Sequence, residues 1–149
     1  MSFAKPSLKG RALRLLSGRE YSRAELERKL SSFEEEPGTL ARALDELQAK
    51  GFIDEQRVIE SIVHRRAAKL GAARIKQEMQ GKGLDPVAVN EALAGLQATE
   101  CERALEVWRK KFGEPPVDAQ AAAKQMRFLA SRGFGGDVIR RIVDAGSDD

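Results

Sequence analysis

Apolar residues recur at every third or fourth position through most of the chain, which is the spacing that places them along one face of an α-helix. No segment alternates apolar and polar residues over the length of a β-strand. Glycine, proline and helix-capping residues interrupt the helical pattern at intervals that predict nine helices. Because the helices fall into groups of three, we predict an all-α fold with three tandem three-helix modules. We name these the first module (residues 8–53), the second module (54–98) and the third module (99–145).

One sequence that is typical of a helix end occurs three times. Each copy has an apolar residue, a cation three positions later, a glycine and a second apolar residue, and the glycines are Gly51, Gly83 and Gly133. Glycine adopts the left-handed backbone conformation at a helix end without strain. We therefore expect positive φ at all three positions, with Phe52 folded back onto the apolar side of the preceding helix. The repetition indicates a repeated structural unit.

Polar residues at the predicted helix starts match known N-cap patterns. Ser22 and Glu25 have the spacing of a capping box, in which each side chain accepts a hydrogen bond from an early backbone N–H group. Thr99 is followed by a glutamate at the same spacing, which predicts a second capping box. Asp54 is predicted to begin the fourth helix, and Asp85 before a proline is predicted to begin the sixth.

Helical geometry also places individual side chains. At 100° per residue, Arg66 falls in the middle of the apolar stripe of the fourth predicted helix. Its charged head must extend past the helix end, pair with a carboxylate or lie between modules, and we expect the charge to be held near the core. Phe33 is predicted to continue the apolar face that Leu26 and Leu30 begin on the second helix.

The net charge is only +3, but the charges come in blocks. Cations outnumber anions by seven to three over residues 9–29, by six to one over 65–82 and by six to two over 109–132. Basic blocks at intervals would form a stripe suited to a polyanion or to an acidic protein groove. Solvated helix faces with pairs such as Arg74 and Glu78 explain any single block equally well. The candidate contact residues are Arg65, Arg66, Lys69, Arg74, Lys76, Lys82, Arg109, Lys110, Lys111, Arg127 and Arg132.

The sequence contains no pattern that is typical of an enzyme or a metal site. His64 is the only histidine and has no cysteine at ligand spacing, while the single cysteine, Cys101, lies beside glutamates that disfavour a thiolate. No phosphate-binding loop or nucleophile elbow is present, and the three glutamates at 34–36 read as a solvated loop. No apolar run approaches the ~18 residues of a membrane span. We therefore expect a cytoplasmic, non-enzymatic protein without metal or cofactor. We also expect a monomer, although no sequence pattern determines the oligomeric state.

Several short pieces of sequence, taken in order, carry a resemblance to a known family. In and beside the second module they are Gly51-Phe52-Ile53-Asp54, Arg57, Val58, Val63, Arg66, Gly71, Arg74-Ile75, Glu78-Met79 and Lys82-Gly83-Leu84. Outside it they are Ser22, Glu25-Leu26, Lys29-Leu30 and Arg132-Gly133-Phe134. Together they resemble the RecX family of bacterial recombinase regulators over nearly the whole chain.

The resemblance implies an elongated, curved array of three modules that lies in the groove of a RecA–DNA filament. There it would act mainly as an inhibitor, restraining ATP hydrolysis, strand exchange and stimulated repressor cleavage in recombination, DNA repair and the SOS response. The partners it implies are the RecA filament and single- or double-stranded DNA. Two other interpretations stay open. The segment from Tyr21 to Leu26 also resembles the start of a helix-turn-helix unit that binds DNA without RecA, and a helical scaffold for a different protein partner has the same pattern.

Overall fold

The computed structural model describes residues 5–145, and within that range nine α-helices and no β-strand are present. The helices are α1 (Leu8–Leu16), α2 (Arg23–Leu30), α3 (Thr39–Ala49), α4 (Glu55–Arg66), α5 (Ala72–Gly81), α6 (Pro86–Gln97), α7 (Glu100–Lys111), α8 (Ala119–Ser131) and α9 (Gly136–Ala145). The all-α prediction is confirmed. None of these helices is long and apolar enough to cross a membrane.

Local polar contacts explain where most of the helices begin. Ser22 forms the predicted capping box, because its Oγ accepts from the Glu25 amide at 3.1 Å and its own amide donates to Glu25 Oε1 at 3.0 Å. Asp54, Asp85 and Asp118 each accept a hydrogen bond from the amide three residues later. Each cap satisfies one of the N–H groups that a helix start leaves without an intrahelical partner.

The predicted capping box at Thr99 is wrong. Thr99 precedes α7, but its backbone has φ −111° and ψ 1°, and its side chain caps no amide of the helix. The hydroxyl donates to the Leu96 carbonyl at 3.3 Å and accepts from Arg103 Nε at 3.1 Å. Because the hydroxyl is already engaged in these two contacts, the sequence spacing alone does not produce a cap.

Three separate hydrophobic cores form, and each draws its residues from a single group of three helices. The first includes Leu26, Leu44 and Leu47, the second Ile59, Ile62, Ile75 and Met79, and the third Ala104, Leu129 and Val143, all at most 1% exposed. Three short helices bury only a small core, so each group gains further stability by packing against its neighbour.

The three repeated glycines all have left-handed backbone, with φ of 83° at Gly51, 67° at Gly83 and 90° at Gly133. The residue that follows is 5% exposed at the second and third stops, where it is Leu84 and Phe134. At the first stop Phe52 is 47% exposed, so the prediction that it folds back is wrong. The next residue in the chain, an isoleucine that is 2% exposed, fills the core in its place.

Two other side chains lie further out than the helical pattern predicts. Phe33 is 45% exposed because a 3₁₀ turn over Ser31–Phe33 ends the α2 face, and the Arg11 guanidinium lies 3.8 Å from the ring centroid. Arg66 is the last residue of α4, with 44% of its side chain exposed. Its guanidinium pairs with Glu78 at 2.9 Å, so the charge lies at the surface between two helices and not near the core.

Candidate protein-interaction site at the module junctions

The first and second modules meet where the C-terminal end of α5 docks on the N-terminal end of α2. Ser22 Oγ donates to the Lys82 carbonyl at 2.6 Å, and Arg28 donates to the Gly81 carbonyl at 2.6 Å. Gly83 packs so closely on Ala24 that a Cβ on the glycine would lie 2.8 Å from the alanine methyl group. The helix stop is therefore also the docking surface.

The second and third modules meet in the same way, with the C-terminal end of α8 on the N-terminal end of α5. The Gly71 amide donates to the Arg132 carbonyl at 2.8 Å, and Arg74 Nη1 donates to the Ser131 carbonyl at 2.6 Å. Gly71 packs directly on the backbone of Gly133. The two junctions use the same pair of donors. One is the residue just before the receiving helix (Ser22 or Gly71), and the other is an arginine within that helix (Arg28 or Arg74). Both donate to carbonyl groups at the end of a helix in the next module.

This arrangement satisfies backbone groups that would otherwise lack partners. The last carbonyls of a helix have no intrahelical donor and carry the negative end of the helix dipole. At each junction these carbonyls face the first turn of another helix, which carries the positive end. Among the described residues, hydrogen bonds between modules join only neighbouring modules.

The sequence patterns did not predict that two charged residues, Glu100 and Arg103, lie inside the second junction. Glu100 is only 9% exposed, and its Oε1 accepts from the Ala72 amide at 2.8 Å. Arg103 donates to the carbonyls of Ala67, Leu70 and Leu96 at 2.7, 2.8 and 3.0 Å. Burial lowers the pKa of Arg103 from its usual value, and the charge of Glu100 opposes that shift. Arg103 thus supplies donors to carbonyls at the C-terminal ends of α4 and α6, and Glu100 accepts from the first amide of α5.

At the first junction, Glu25 lies between two cations. Arg19 Nη2 is 2.9 Å and Lys82 Nζ 3.7 Å from its carboxylate oxygens. Burial by itself would raise the pKa of Glu25. The hydrogen bonds from Arg19 and from the Ser22 amide outweigh that effect, and with the charge of Lys82 they hold the pKa of Glu25 below its usual value.

The acidic loop is partly structural. Glu34 is half-buried, and its Oε2 accepts from the Leu40 amide at 2.8 Å, which caps α3 where the N-cap residue, Gly38, has no side chain to do so. The prediction of a solvated loop is wrong for this residue, whereas Glu35 and Glu36 are exposed as predicted.

The predicted basic block of the second module divides into groups with different partners. Arg65, Arg66 and Lys82 all lie within 4 Å of a single carboxylate, at distances of 3.8, 2.9 and 3.7 Å. That carboxylate belongs to Glu78, which therefore pairs with these residues and not with Arg74. Because Arg74 crosses to the third module, it is a junction residue.

Four other candidate cations converge on one pocket, which we call the junction pocket. It has a volume of about 300 Å³ and is lined by Ala68 and Lys69 of the second module and by Val107, Lys110, Lys111, Phe128 and Arg132 of the third. The Arg132 guanidinium lies 4.9 Å and the Lys111 ammonium 5.4 Å from the centroid of the Phe128 ring. No carboxylate lines the pocket, and within residues 5–145 none of the four cations forms an ion pair.

The remaining candidates lie apart from the junction pocket. Lys76 lines a shallow groove between α5 and α6, Arg109 is exposed with Glu106 at 3.9 Å, and Arg127 is exposed on α8. The fold thus separates residues that the sequence presents as continuous blocks. In the described part of the chain, no cluster of three or more metal-ligating side chains occurs, and His64 is exposed.

Comparison with known proteins also finds three three-helix domains in tandem. Three family models match in order, those of the first, second and third three-helix domains of RecX, at residues 9–47, 54–93 and 98–143. Regulatory protein RecX of Leptothrix cholodnii is 53% identical over 92% of this chain and 87% of its own length. The protein of the same name from Ralstonia nicotianae is 46% identical, over 92% of this chain and 86% of its own.

The fold agrees with that assignment. The crystal structure of RecX from Lactobacillus salivarius superposes with a TM-score of 0.75, covering 94% of each chain at 22% identity. At that identity the likeness is one of fold. The family models and the curated relatives together establish that the chain belongs to the RecX family of regulatory proteins.

Proposed function

We propose that this protein regulates RecA, mainly as an inhibitor, by lying in the groove of the RecA–DNA filament in the cytoplasm as a monomer. It would restrain ATP hydrolysis, strand exchange and stimulated repressor cleavage. The observation that carries the proposal is the match to all three RecX domains in order along one chain. We take residues 8–53, 54–98 and 99–145 as its three modules.

The architecture supports this function. Because each module hydrogen-bonds only to its neighbour among the described residues, the modules follow one another along a path and do not close around a common core. A path of modules presents a long surface, which suits a repeating, helical partner. Unpaired cations on that surface complement the negative charge of DNA or of acidic protein segments.

Binding alone is sufficient for the proposed effect. A protein that binds several filament subunits at once favours the filament conformation it fits best, and it slows the subunit movements and exchange that turnover needs. The amount of inhibition then depends on how much more tightly it binds that conformation than the others. Neither step requires chemistry from this chain.

The competing function, reading of duplex DNA by helix-turn-helix units, has less support. In such units the second helix enters the major groove and needs cations or amides for phosphates and bases. A helix-turn-helix unit that starts at Tyr21 would consist of α2 and α3, so its second helix is the third helix of the module. The equivalent helices in the three modules are α3, α6 and α9. They carry one cation and two anions, one anion alone, and two cations and two anions, respectively, so none has an excess of positive charge.

The test is the DNA-dependent ATPase of RecA, measured with increasing amounts of this protein. We expect turnover to fall at substoichiometric to equimolar ratios, with no ATP hydrolysis by this protein alone. Binding to filaments and to free DNA, compared by co-sedimentation, separates the two functions. Unchanged RecA turnover at a several-fold excess, together with tight binding to free duplex DNA, would reverse the choice between them.

A further inference from the structure

We propose that the junction pocket binds an acidic peptide segment of the filament, with one apolar side chain of that segment inserted into the pocket. This inference rests on the proposed function and names the chemistry of the surface that the partner presents. The segment's carboxylates would pair with Lys69, Lys110, Lys111 and Arg132. Its apolar side chain would contact Ala68, Val107 and Phe128.

Charge is the first argument. Four cations meet around the junction pocket without a carboxylate, whereas other clustered cations of the second module have one. Arg65, Arg66 and Lys82 share Glu78, for example. Cations held together without an anion repel each other, and an anionic ligand removes that repulsion when it binds. An external anion that binds in the junction pocket therefore gains from the relief of this repulsion.

The floor of the pocket is the second argument. Ala68 is exposed, and Val107 and Phe128 are only partly buried, so apolar surface remains accessible below the ring of charges. A volume of about 300 Å³ accommodates a side chain the size of leucine or phenylalanine. A ligand that combines carboxylates with such a side chain uses both parts of the pocket, whereas a simple anion would leave the floor exposed to water.

Nucleotide bases fit the same pocket less well. A base binds to an aromatic residue by stacking on an open ring face, but Arg132 and Lys111 already lie over the Phe128 ring and Phe112 packs against it in a T-shaped pair at 5.5 Å. The polar side chains that line the pocket are all lysine or arginine, which only donate hydrogen bonds. The amino groups of a base would find no side-chain acceptor, whereas carboxylates need none.

The pocket also crosses the boundary between two modules. Ala68 and Lys69 follow α4 in the second module, and the other lining residues come from α7, α8 and the residue after α8 in the third. A segment bound there contacts both modules at once. Occupancy would therefore hold the second junction in the geometry described above, in addition to attaching the protein to the filament.

The main test is binding to RecA filaments assembled on single-stranded DNA. The pocket variant is Lys69→Glu/Lys110→Glu/Lys111→Glu, and the matched control is Arg42→Glu/Lys124→Glu/Arg141→Glu, whose residues are exposed and lie outside the pocket. Both change the net charge from +3 to −3, because each of three reversals removes two units, so long-range attraction to the filament falls equally. We expect the pocket variant to bind at least about ten-fold more weakly than the control.

The apolar part of the inference has its own variant. Val107→Thr keeps the volume and replaces a methyl group with a hydroxyl, and we expect about three-fold weaker filament binding with unchanged helicity. Equal filament binding by the pocket variant and the control would overturn the inference while leaving the proposed function standing. A parallel loss of binding to free single-stranded DNA by the pocket variant alone would assign the pocket to nucleic acid, which also overturns it.

A second measurement does not depend on RecA. The ¹⁵N-labelled protein is titrated with a peptide that has a central leucine flanked by two glutamates on each side, and separately with oligothymidylate. We expect the peptide to shift the amide signals of Lys69, Val107 and Phe128, and a peptide with serine in place of leucine to shift them less. Such shifts without filament binding by the wild-type chain would contradict the proposed function alone. No shift with a large excess of peptide, whether or not oligothymidylate shifts these signals, would contradict the pocket assignment.

Discussion

Gly71 lies backbone to backbone against Gly133 across the second junction, so that a Cβ on Gly71 would overlap the Gly133 carbonyl group. The φ of Gly71 is −82°, so left-handed backbone does not explain the glycine. Contact between modules is the reason that the position has no side chain. The obstructing atoms are backbone atoms, which cannot move aside by changing a rotamer.

We therefore expect Gly71→Ala to destabilise the protein by about 1–3 kcal/mol, the usual range for overpacking. For a chain of this size, the midpoint of thermal unfolding should fall by roughly 2–4 °C for each kcal/mol, as followed by circular dichroism. Gly81→Ala is the control, because a Cβ on this helical glycine meets nothing within 4 Å. Equal midpoints for the two variants would show that the modules do not pack as closely as described.

The three left-handed glycines should differ in what they tolerate. Asparagine is accepted in the left-handed region, so Gly51→Asn, where a Cβ meets nothing within 4 Å, should cost only about 0.5–1 kcal/mol. Gly133→Asn should reduce the stability clearly more, because a Cβ there would lie 2.6 Å from the backbone nitrogen of Arg74. Valine is strained at positive φ and should cost about 1–2 kcal/mol or more at Gly51, Gly83 and Gly133 alike. Urea unfolding would measure each difference in the free energy of unfolding, provided that the variants have the same m-value.

Arg103→Lys should destabilise the second junction by about 1–3 kcal/mol although the charge is kept. A single ammonium group on a flexible stem cannot reproduce the planar guanidinium that donates to three carbonyl groups. Arg109→Lys, on an exposed position of the same helix, is the control and should be neutral. Chemical denaturation followed by tryptophan fluorescence reports on the third module, because Trp108 donates to Gln125 in its interior at 2.9 Å.

The contribution of Glu25 to the stability of the fold should be lost in acid. The pKa of Glu25 is lower in the folded protein than its usual value of 4.5, so the folded state favours the carboxylate. That contribution to stability is complete at pH values above 4.5 and is lost as the pH falls through the folded pKa. Glu25→Gln should therefore be less stable than the wild type at neutral pH, and the difference should shrink in acid. A difference that stayed constant from pH 7 to pH 3 would contradict the assignment.

The two cations of α5 should respond differently to truncation. Arg74→Ala removes the hydrogen bond to the Ser131 carbonyl, so we expect a loss of about 1 kcal/mol in the free energy of unfolding. Lys76→Ala, at an exposed position on the same helix, should leave the free energy of unfolding within about 0.5 kcal/mol of the wild type. Comparable losses in both would indicate that helix propensity and not the junction contact sets the stability.

Local sequence was sufficient for the features whose contacts are local. The Ser22 cap and the left-handed glycines depend on residues within about one helical turn, so their spacing predicts them. Thr99 shows the limit, because its hydroxyl is taken by an arginine one turn later. Phe52 shows another, because either of two consecutive apolar residues after the glycine could fill the core, and the backbone selects the second.

The candidate site could not be predicted in the same way. Glu100 contacts a residue 28 positions away and Arg103 residues up to 36 positions away, and no periodicity links such distances. The basic blocks of the sequence do not show that Glu78 neutralises three cations while the four cations of the junction pocket have no carboxylate. Tertiary packing determines which cations lack a carboxylate partner and so are available to another molecule. Sequence patterns do not contain that information.

Each of the two junctions joins the end of one helix to the start of the equivalent helix in the preceding module, α5 on α2 and α8 on α5. A duplicated module of about 45 residues could be inserted between two others, because its two docking surfaces would match those of the modules on either side. The fold can thus lengthen or shorten by whole modules during evolution, and the reach of the protein along a repeating partner can change without any change to its hydrophobic cores.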